Sequence, residues 1–298
     1  MTEAVNPKFN NIDQWPTLKA IEAMYGGQKT AVSKIKPSLK SISIAADKAA
    51  ENLGTKGRLV YIGAGTSGRL AIQDGAELTP TFGWPKERLV YGMAGGIQAL
   101  LHSIEGAEDN KVDGSNLIKV EKIQKEDVVI GVAASGHTPF TLGALKQANI
   151  MGALTIGIVN NQNTEIFNEA NIGILVETGS EVLAGSTRMM AGTTQKIILN
   201  LLSTAIMTRL GHVYDGLMVD MIVSNKKLEK RAISIISKIA NCSTERANSA
   251  LISSNKKIKP AILIALGENQ KSVNTMLAKT KGDLRLAIEH FKTRGWSS

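Results

Sequence analysis

The sequence is poor in cysteine, in aromatic residues and in long apolar runs. Its one cysteine, Cys242, has no second thiol to pair with. No disulfide can form within the chain, which suits a reducing compartment. Aromatic residues supply only 4% of the 298 positions, so the core must be built from Ile, Leu, Val, Ala and Met. The longest apolar stretch, Ile197 to Met207, is too short to span a bilayer and carries Asn200. The run Met1-Thr2-Glu3-Ala4-Val5-Asn6-Pro7 lacks the basic-then-apolar order of a signal peptide. These features predict a cytoplasmic protein with no membrane partner.

The chain does have the composition of a globular protein. Hydrophobic residues make up 43% and charged residues 20%, which excludes disorder as the main state. The net charge is +9. Its densest basic groups are Lys226, Lys227, Lys230 and Arg231, then Lys256, Lys257 and Lys259. Both read as solvated faces of helical segments. There is no zinc-finger spacing and no aromatic ribonucleoprotein motif, so the basic balance does not point to nucleic acid.

Residues 14–53 read as helical, with Leu18, Ile21 and Met24 and later Ala45, Ala49 and Leu53 at helical spacing. Gly26-Gly27 interrupts that pattern. From Arg58 onward, short apolar runs alternate with helical patterns. The runs are Leu59 to Ile62, Leu89 to Tyr91, Val128 to Val132, Leu154 to Val159 and Ile172 to Val176. Ser67 to Leu78 and Phe140 to Ile150 are two of the intervening helices. The alternation predicts an α/β fold, a three-layer αβα arrangement around a five-stranded parallel sheet. Past Ser186 no strand signal stands out. Helices are expected over Thr187 to Leu210 and Met218 to Ala240. Three short helices follow over 242–298, with starts at Ser243-Thr244-Glu245 and Gly282-Asp283. The chain thus divides into an N-terminal helical segment (1–53), an α/β domain (54–225) and a small helical domain (226–298).

Two strand ends echo each other. One runs into Gly63-Ala64-Gly65-Thr66-Ser67-Gly68, the other into Ala133-Ala134-Ser135-Gly136-His137-Thr138. Each passes from small and hydroxylated residues into a helix. A helix N-terminus offers unpaired N–H groups and the positive end of the dipole. Glycine lets an anion approach, and hydroxyls add neutral donors. Gly65, Thr66, Ser67, Ser135, Gly136, His137 and Thr138 are therefore candidate phosphate ligands. Gly63, Gly65 and Gly68 also fit the dinucleotide fingerprint. That fingerprint expects an acid at the end of the second strand, where Tyr91-Gly92-Met93-Ala94-Gly95-Gly96 has none, so a dehydrogenase is disfavoured. His102, His137, His212 and His290 lie far apart and show no metal-ligand spacing, and no metal site is expected. His102 and His290 read as surface residues. Neither a Gly-x-Ser-x-Gly elbow nor a P-loop lysine occurs.

Glu77 and Glu108 stand out by position, one near the end of the first loop's helix, the other in Glu105-Gly106-Ala107-Glu108-Asp109. On residues alone each reads as a solvated carboxylate. A longer pattern surrounds them. Gly63 to Leu70 with Glu77 and Pro80-Thr81-Phe82-Gly83, then Glu105 to Asp109, then Ala133 to Gly136 with Thr138-Pro139, resemble the N-acetylmuramic acid 6-phosphate etherases. Glu181-Val182-Leu183, Gly185-Ser186-Thr187-Arg188, Ala191-Gly192-Thr193 with Gln195-Lys196, and Leu217-Met218-Val219-Asp220 continue the resemblance in order. Asn6-Pro7, Asn11-Ile12-Asp13 and the tail from Asn241-Cys242-Ser243 extend it over nearly the whole chain.

The resemblance implies a sugar isomerase-type phosphosugar-binding domain at 54–225, a homodimer, and no metal or organic cofactor. It implies cleavage of the lactyl ether of N-acetylmuramic acid 6-phosphate to N-acetylglucosamine 6-phosphate and D-lactate. Glu77 would be the acid and Glu108 the base, with Ser186 and Thr187 joining the substrate-binding residues. The sequence departs from the family at Ala76, Leu78 and Thr79 around Glu77. It also departs at Gly27-Gln28, at His137, where arginine is usual, and at Met190, where lysine is usual. Those departures keep two other readings open. One is a non-catalytic sugar-phosphate sensor like the related glucokinase regulatory proteins. The other is an isomerase of a different phosphosugar.

Overall fold

The computed structural model describes residues 2–294. They form two compact units. One runs from the N-terminus to Ala76 and continues over Lys86–Ile206; the other comprises Glu77–Pro85 and the residues from Met207 onward.

In the first unit, α1 (Thr17–Ser33) and α2 (Leu39–Leu53) precede the alternating part. There β1 (Leu59–Gly63), α3 (Gly65–Phe82), β2 (Leu89–Met93), α4 (Lys111–Val120), β3 (Val128–Ala133) and α5 (Pro139–Ile150) follow one another. β4 (Leu154–Val159), α6 (Glu165–Glu169), β5 (Ile172–Leu175) and α7 (Met190–Arg209) complete the series. The five strands are all parallel, in the order β2-β1-β3-β4-β5. Every residue of β1 and β3 is buried, as strands covered on both faces must be, and this is why their sequences are continuous apolar runs. Val60, Ile62, Val129, Phe140, Leu145, Ile118 and Ile166 form the core beneath α4, α5 and α6. On the opposite face Tyr61 meets Asp74 of α3, which in turn meets α7.

A row of glycines sets the helix-to-sheet distance. Gly131, Gly157 and Gly173 are register partners on β3, β4 and β5. A Cβ on Gly131 would lie 2.8 Å from the Leu145 side chain, one on Gly157 3.0 Å from the Ile166 carbonyl, and one on Gly173 2.5 Å from the Phe167 ring. Helices α5 and α6 therefore rest almost directly on the sheet backbone.

The five expected strands are present. The expected break at Gly26-Gly27 is not: α1 runs through both glycines. Each costs a helix only about 1 kcal/mol. The interruption falls instead before α2, where Pro37 sits in a short 3-10 turn, Lys36–Ser38. Helix α3 likewise continues past Leu78 to Phe82, with Pro80 tolerated in its final turn.

In the second unit, two short strands form an antiparallel hairpin that the sequence reading missed: β6 (Val213–Tyr214) and β7 (Leu217–Met218). The turn is Asp215-Gly216, both at positive φ (45° and 73°), as a two-residue hairpin of this hand requires. The helix expected from Met218 consequently starts later, as α8 (Lys226–Ala240), where the Asn225 side chain accepts from the Leu228 N–H. Among the described residues four helices follow rather than three: α9 (Thr244–Ser253), α10 (Ile258–Leu266), α11 (Gln270–Lys279) and α12 (Leu284–Arg294). Ser243 and Asp283 cap α9 and α12 at the starts expected. Ile235, Ile236, Leu251, Ile262, Leu263, Val273 and Ile288 belong to this unit's own core.

Two glycine replacements should move stability in opposite directions. Gly131→Ala should destabilise by about 1–3 kcal/mol, because Leu145 and Thr141 are buried and cannot retreat. Gly26→Ala meets nothing within 4 Å and sits within α1, so it should stabilise by about 0.5–1 kcal/mol. Urea unfolding midpoints of the two variants check both signs.

Candidate active site

The order β2-β1-β3-β4-β5 reverses its winding between β1 and β3, and in open parallel sheets ligands bind outside the strand carboxyl ends at such a switch point. Gly63 of β1 is the register partner of Val132 of β3. The two hydroxyl- and glycine-rich loops that follow therefore start side by side, neighbouring strands being about 4.8 Å apart.

The first loop turns directly from β1 into α3. A Cβ on Gly63 would lie 2.8 Å from the Gly68 backbone, and one on Gly68 would lie 2.7 Å from the Gly63 carbonyl. The first and third glycines thus serve close strand-to-helix packing. Gly65 has φ 51° and is exposed. Ser67 is buried in the first turn of α3 and Thr66 is half-buried.

In the second loop the Ser135 hydroxyl accepts from the His137 N–H at 3.2 Å and lies 3.5 Å from the Thr138 hydroxyl. Gly136 has φ 74°, and a side chain there would strike Thr164 at 2.5 Å. Thr138 precedes α5, yet its hydroxyl makes no capping bond to that helix. His137 is exposed.

A third loop, between β5 and α7, carries Ser186 and Thr187, both half-buried. Its anchor is Glu181, fully buried, whose Oε2 accepts from the Met190 N–H and whose Oε1 accepts from the Ala191 N–H, each at 2.9 Å. A carboxylate at this position satisfies two orphan donors of α7 and its dipole. Burial holds the Glu181 carboxyl above its ordinary 4.5, while the two N–H bonds pull the other way. A Cβ on Gly192 would lie 3.3 Å from the Thr187 carbonyl and 3.4 Å from the Thr66 methyl. The third loop therefore reaches the first. Met190 is buried, and its sulfur would sit 3.1 Å from a Cβ on Gly27. Two of the departures from the family pattern thus touch each other.

Glu108 lies in a short 3-10 turn, Ala107–Asp109. It lines a cleft of about 240 Å³ together with Gly65, Arg69, Met93, His102 and Glu105. Glu108 and the first loop are thereby brought together. Glu77 does not line this cleft. It lies twelve positions beyond Gly65 on α3, about 18 Å along the helix. Both glutamates are exposed in the single chain. One turn before Glu77, the buried Asp74 carboxylate accepts from Asn200 Nδ2 at 2.6 Å and from the Ser203 and Tyr61 hydroxyls at 3.2 Å. Burial raises the pKa of Asp74, while these three bonds lower it. The same burial, with Asp74 beside it, lifts that of Tyr61 well above 10.0. This network fixes α3 against β1 and α7.

Arg69, His102 and Glu181 were not picked out as site residues by the sequence reading. Arg69 occupies the cleft while its Nε donates to the Ala99 and Leu100 carbonyls. Its place one turn into α3 was the available signal. His102 reads as a lone surface histidine, and only the fold brings it into the cleft that Glu108 also lines. Among the described residues no cluster of His, Cys, Asp and Glu is arranged to hold a metal, and no helix is long and apolar enough to cross a membrane.

Comparisons with known proteins bear on the same regions. Residues 41–149 match the glucokinase regulatory protein N-terminal SIS domain, 113–205 the SIS domain, and 215–277 the C-terminal lid domain of glucokinase regulatory protein. The chain is 41% identical over 292 residues to N-acetylmuramic acid 6-phosphate etherase 1 of Bacillus licheniformis, covering 98% of this chain and 96% of that one. It is 39% identical to the N-acetylmuramic acid 6-phosphate etherase of Deinococcus radiodurans, covering 100% and 98%. The fold resembles the phosphoheptose isomerase of Neisseria gonorrhoeae at a TM-score of 0.50 and 16% identity, over 65% of this chain and 100% of that one.

The Glu181 anchor has a testable pH signature. Its folded-state pKa is raised, so the folded protein holds that proton more tightly than the unfolded chain. The linked stability is present at low pH and is lost as pH rises from 4.5 through the raised value. Glu181→Gln does not titrate and should cost about 1–3 kcal/mol by misplacing an N–H against an N–H. The stability gap between wild type and variant should narrow as pH rises. Urea midpoints between about pH 4 and 8 read it, and a gap that stays constant would contradict the assignment.

Proposed function

The chain belongs to the N-acetylmuramic acid 6-phosphate etherase family, and on that premise we propose that it cleaves the lactyl ether of N-acetylmuramic acid 6-phosphate, acting as a carbon–oxygen lyase in amino-sugar catabolism. The products are N-acetylglucosamine 6-phosphate and D-lactate. The observation that carries this reading is the meeting of Glu108 with the Gly65 loop in one cleft beside the β1/β3 switch point.

The 6-phosphate is received by the N–H groups and hydroxyls of the three loops: Gly65, Thr66 and Ser67; Ser135, Gly136, His137 and Thr138; Ser186 and Thr187. With the sugar ring open, the C1 aldehyde acidifies the C2 proton. Glu108 takes that proton. The C3–O bond breaks, and Glu77 gives its proton to the leaving lactate oxygen. Water then adds at C3 of the unsaturated aldehyde, with Glu77 accepting the water's proton and Glu108 returning one to C2. Paired carboxyls in opposite protonation states suit this sequence. Both glutamates are exposed in the single chain, so substrate or a second subunit completes the surroundings of Glu77. We further propose that residues 54–225 hold the phosphosugar, that 226–298 form an accessory helical domain, and that the protein is a cytoplasmic homodimer. No metal or organic cofactor enters this scheme.

The test is lactate release from N-acetylmuramic acid 6-phosphate. Wild type should release lactate, and Glu77→Gln and Glu108→Gln should each lose about 10²–10⁴-fold in rate. A folded wild type that binds phosphosugars without releasing lactate would remove the etherase reading. It would favour the sensor suggested by the matches to glucokinase regulatory protein domains.

A further inference from the structure

Helix α1 carries a second apolar face that none of the described residues covers. Of its seventeen residues only Ala31 is buried. Its half-covered side is Ala20, Ala23, Met24, Gly27 and Gln28, together with the buried Ala31. Leu18, Ile21, Tyr25 and Val32 lie on a different side, 68%, 53%, 69% and 47% exposed. At 3.6 residues per turn these four fall within about 60° of one another. They occupy positions of a heptad, with Leu18, Tyr25 and Val32 at a and Ile21 at d, the spacing of a helix-pairing seam whose second d position is the half-buried Gln28. An isolated apolar residue on a surface needs no explanation, but four in a row along one helix do.

The charges beside the stripe indicate what covers it. Glu22 and Lys29 both stand at e positions, along the same edge of the seam. In an antiparallel pair of identical helices, e faces e. A two-fold axis between residues 26 and 27 then sets Ile21 against Val32 of the second copy and leaves Glu22 offset from Lys29 of the second copy by two residues, about 3 Å along the axis and within side-chain reach, twice over. A parallel pair would place Glu22 against Thr17, Met24 or Ala31, none of which carries a charge. The arrangement is self-complementary in one orientation only.

We infer that α1 is a dimerisation helix, pairing antiparallel with α1 of a second copy of this chain through Leu18, Ile21, Tyr25 and Val32, with Glu22–Lys29 contacts fixing the orientation. This rests on the homodimer proposed above and is independent of the etherase chemistry. The surface is isologous, as a closed two-fold dimer requires.

Disulfide trapping in a Cys242→Ser background tests the geometry. Within one helix Ile21 and Val32 are about 16 Å apart, beyond the reach of a disulfide, so any bond between them joins two chains. Ile21→Cys protein mixed with Val32→Cys protein should form a covalent dimer on mild oxidation, and neither should do so alone. Light scattering on the uncrosslinked protein gives the second reading. Glu22→Lys should weaken the dimer about tenfold, as should Lys29→Glu, and the double reversal should restore it. Ile21→Glu with Tyr25→Glu should give a monomer whose circular dichroism remains native. A dimer that ignores every one of these changes would overturn the seam while leaving the homodimer standing. Cross-linking of Ile21→Cys alone would overturn the antiparallel orientation. A monomeric wild type would overturn both the seam and the homodimer, and lactate release would still judge the etherase reading separately.

Discussion

The pairing of β1 with β3 is the constraint on which the candidate site depends. Because Gly63 and Val132 are register partners in a parallel sheet, the chain leaves both strands at the same height and must turn into a helix at each. Two helix N-termini are then presented to the same volume, with their N–H groups unsatisfied by their own helices. The loop residues follow from that demand. Glycine is required where backbone comes against backbone at Gly63 and Gly68, and where Thr164 leaves no room at Gly136. Hydroxyls are useful where donors must be neutral and short. The third loop joins because Glu181 holds the start of α7 and Gly192 lets that helix approach Thr66.

Much of this was legible in the sequence because it rests on local rules. A parallel strand buried on both faces has to be largely apolar, and β1 and β3 obey that throughout, while β4 admits one polar residue, Thr155. The two loops announced themselves by composition, and Ser243 and Asp283 by the usual logic of caps. Failures came where one local signal competed with another. Gly26-Gly27 looked like a break, but glycine only weakens a helix, and the true stop needed Pro37. The apolar residues after Tyr214 looked helical because the Asp215-Gly216 turn, which divides them into a hairpin, was overlooked.

The site was legible in part for a different reason. Candidate residues placed by their own backbone neighbourhood, such as Gly65, Ser67, Ser135 and Thr138, carry a signature in sequence. Residues recruited by tertiary geometry do not. His102 shares a cleft with Glu108 only because the chain after β2 folds back past Arg69. Glu181 follows the end of β5 by six residues without any local signal, and its importance lies in two backbone N–H groups nine and ten residues away. Asp74 looks like any helical aspartate until Asn200, from more than a hundred residues away, is found against it.

The glycine row across β3, β4 and β5 bears on how such a sequence diverges. Where a helix rests on bare sheet backbone, the strand residue and the side chain above it share one volume. Gly173 and Phe167 are such a couple, as are Gly131 and Leu145. Change at these positions is confined to paired events, in which an added methyl group beneath is matched by a lost one above. Drift elsewhere on the sheet carries no such condition. Relatives that have replaced a row glycine are therefore expected to carry a smaller residue at the facing helical position, so that co-variation across the sheet–helix gap records the spacing of the layers.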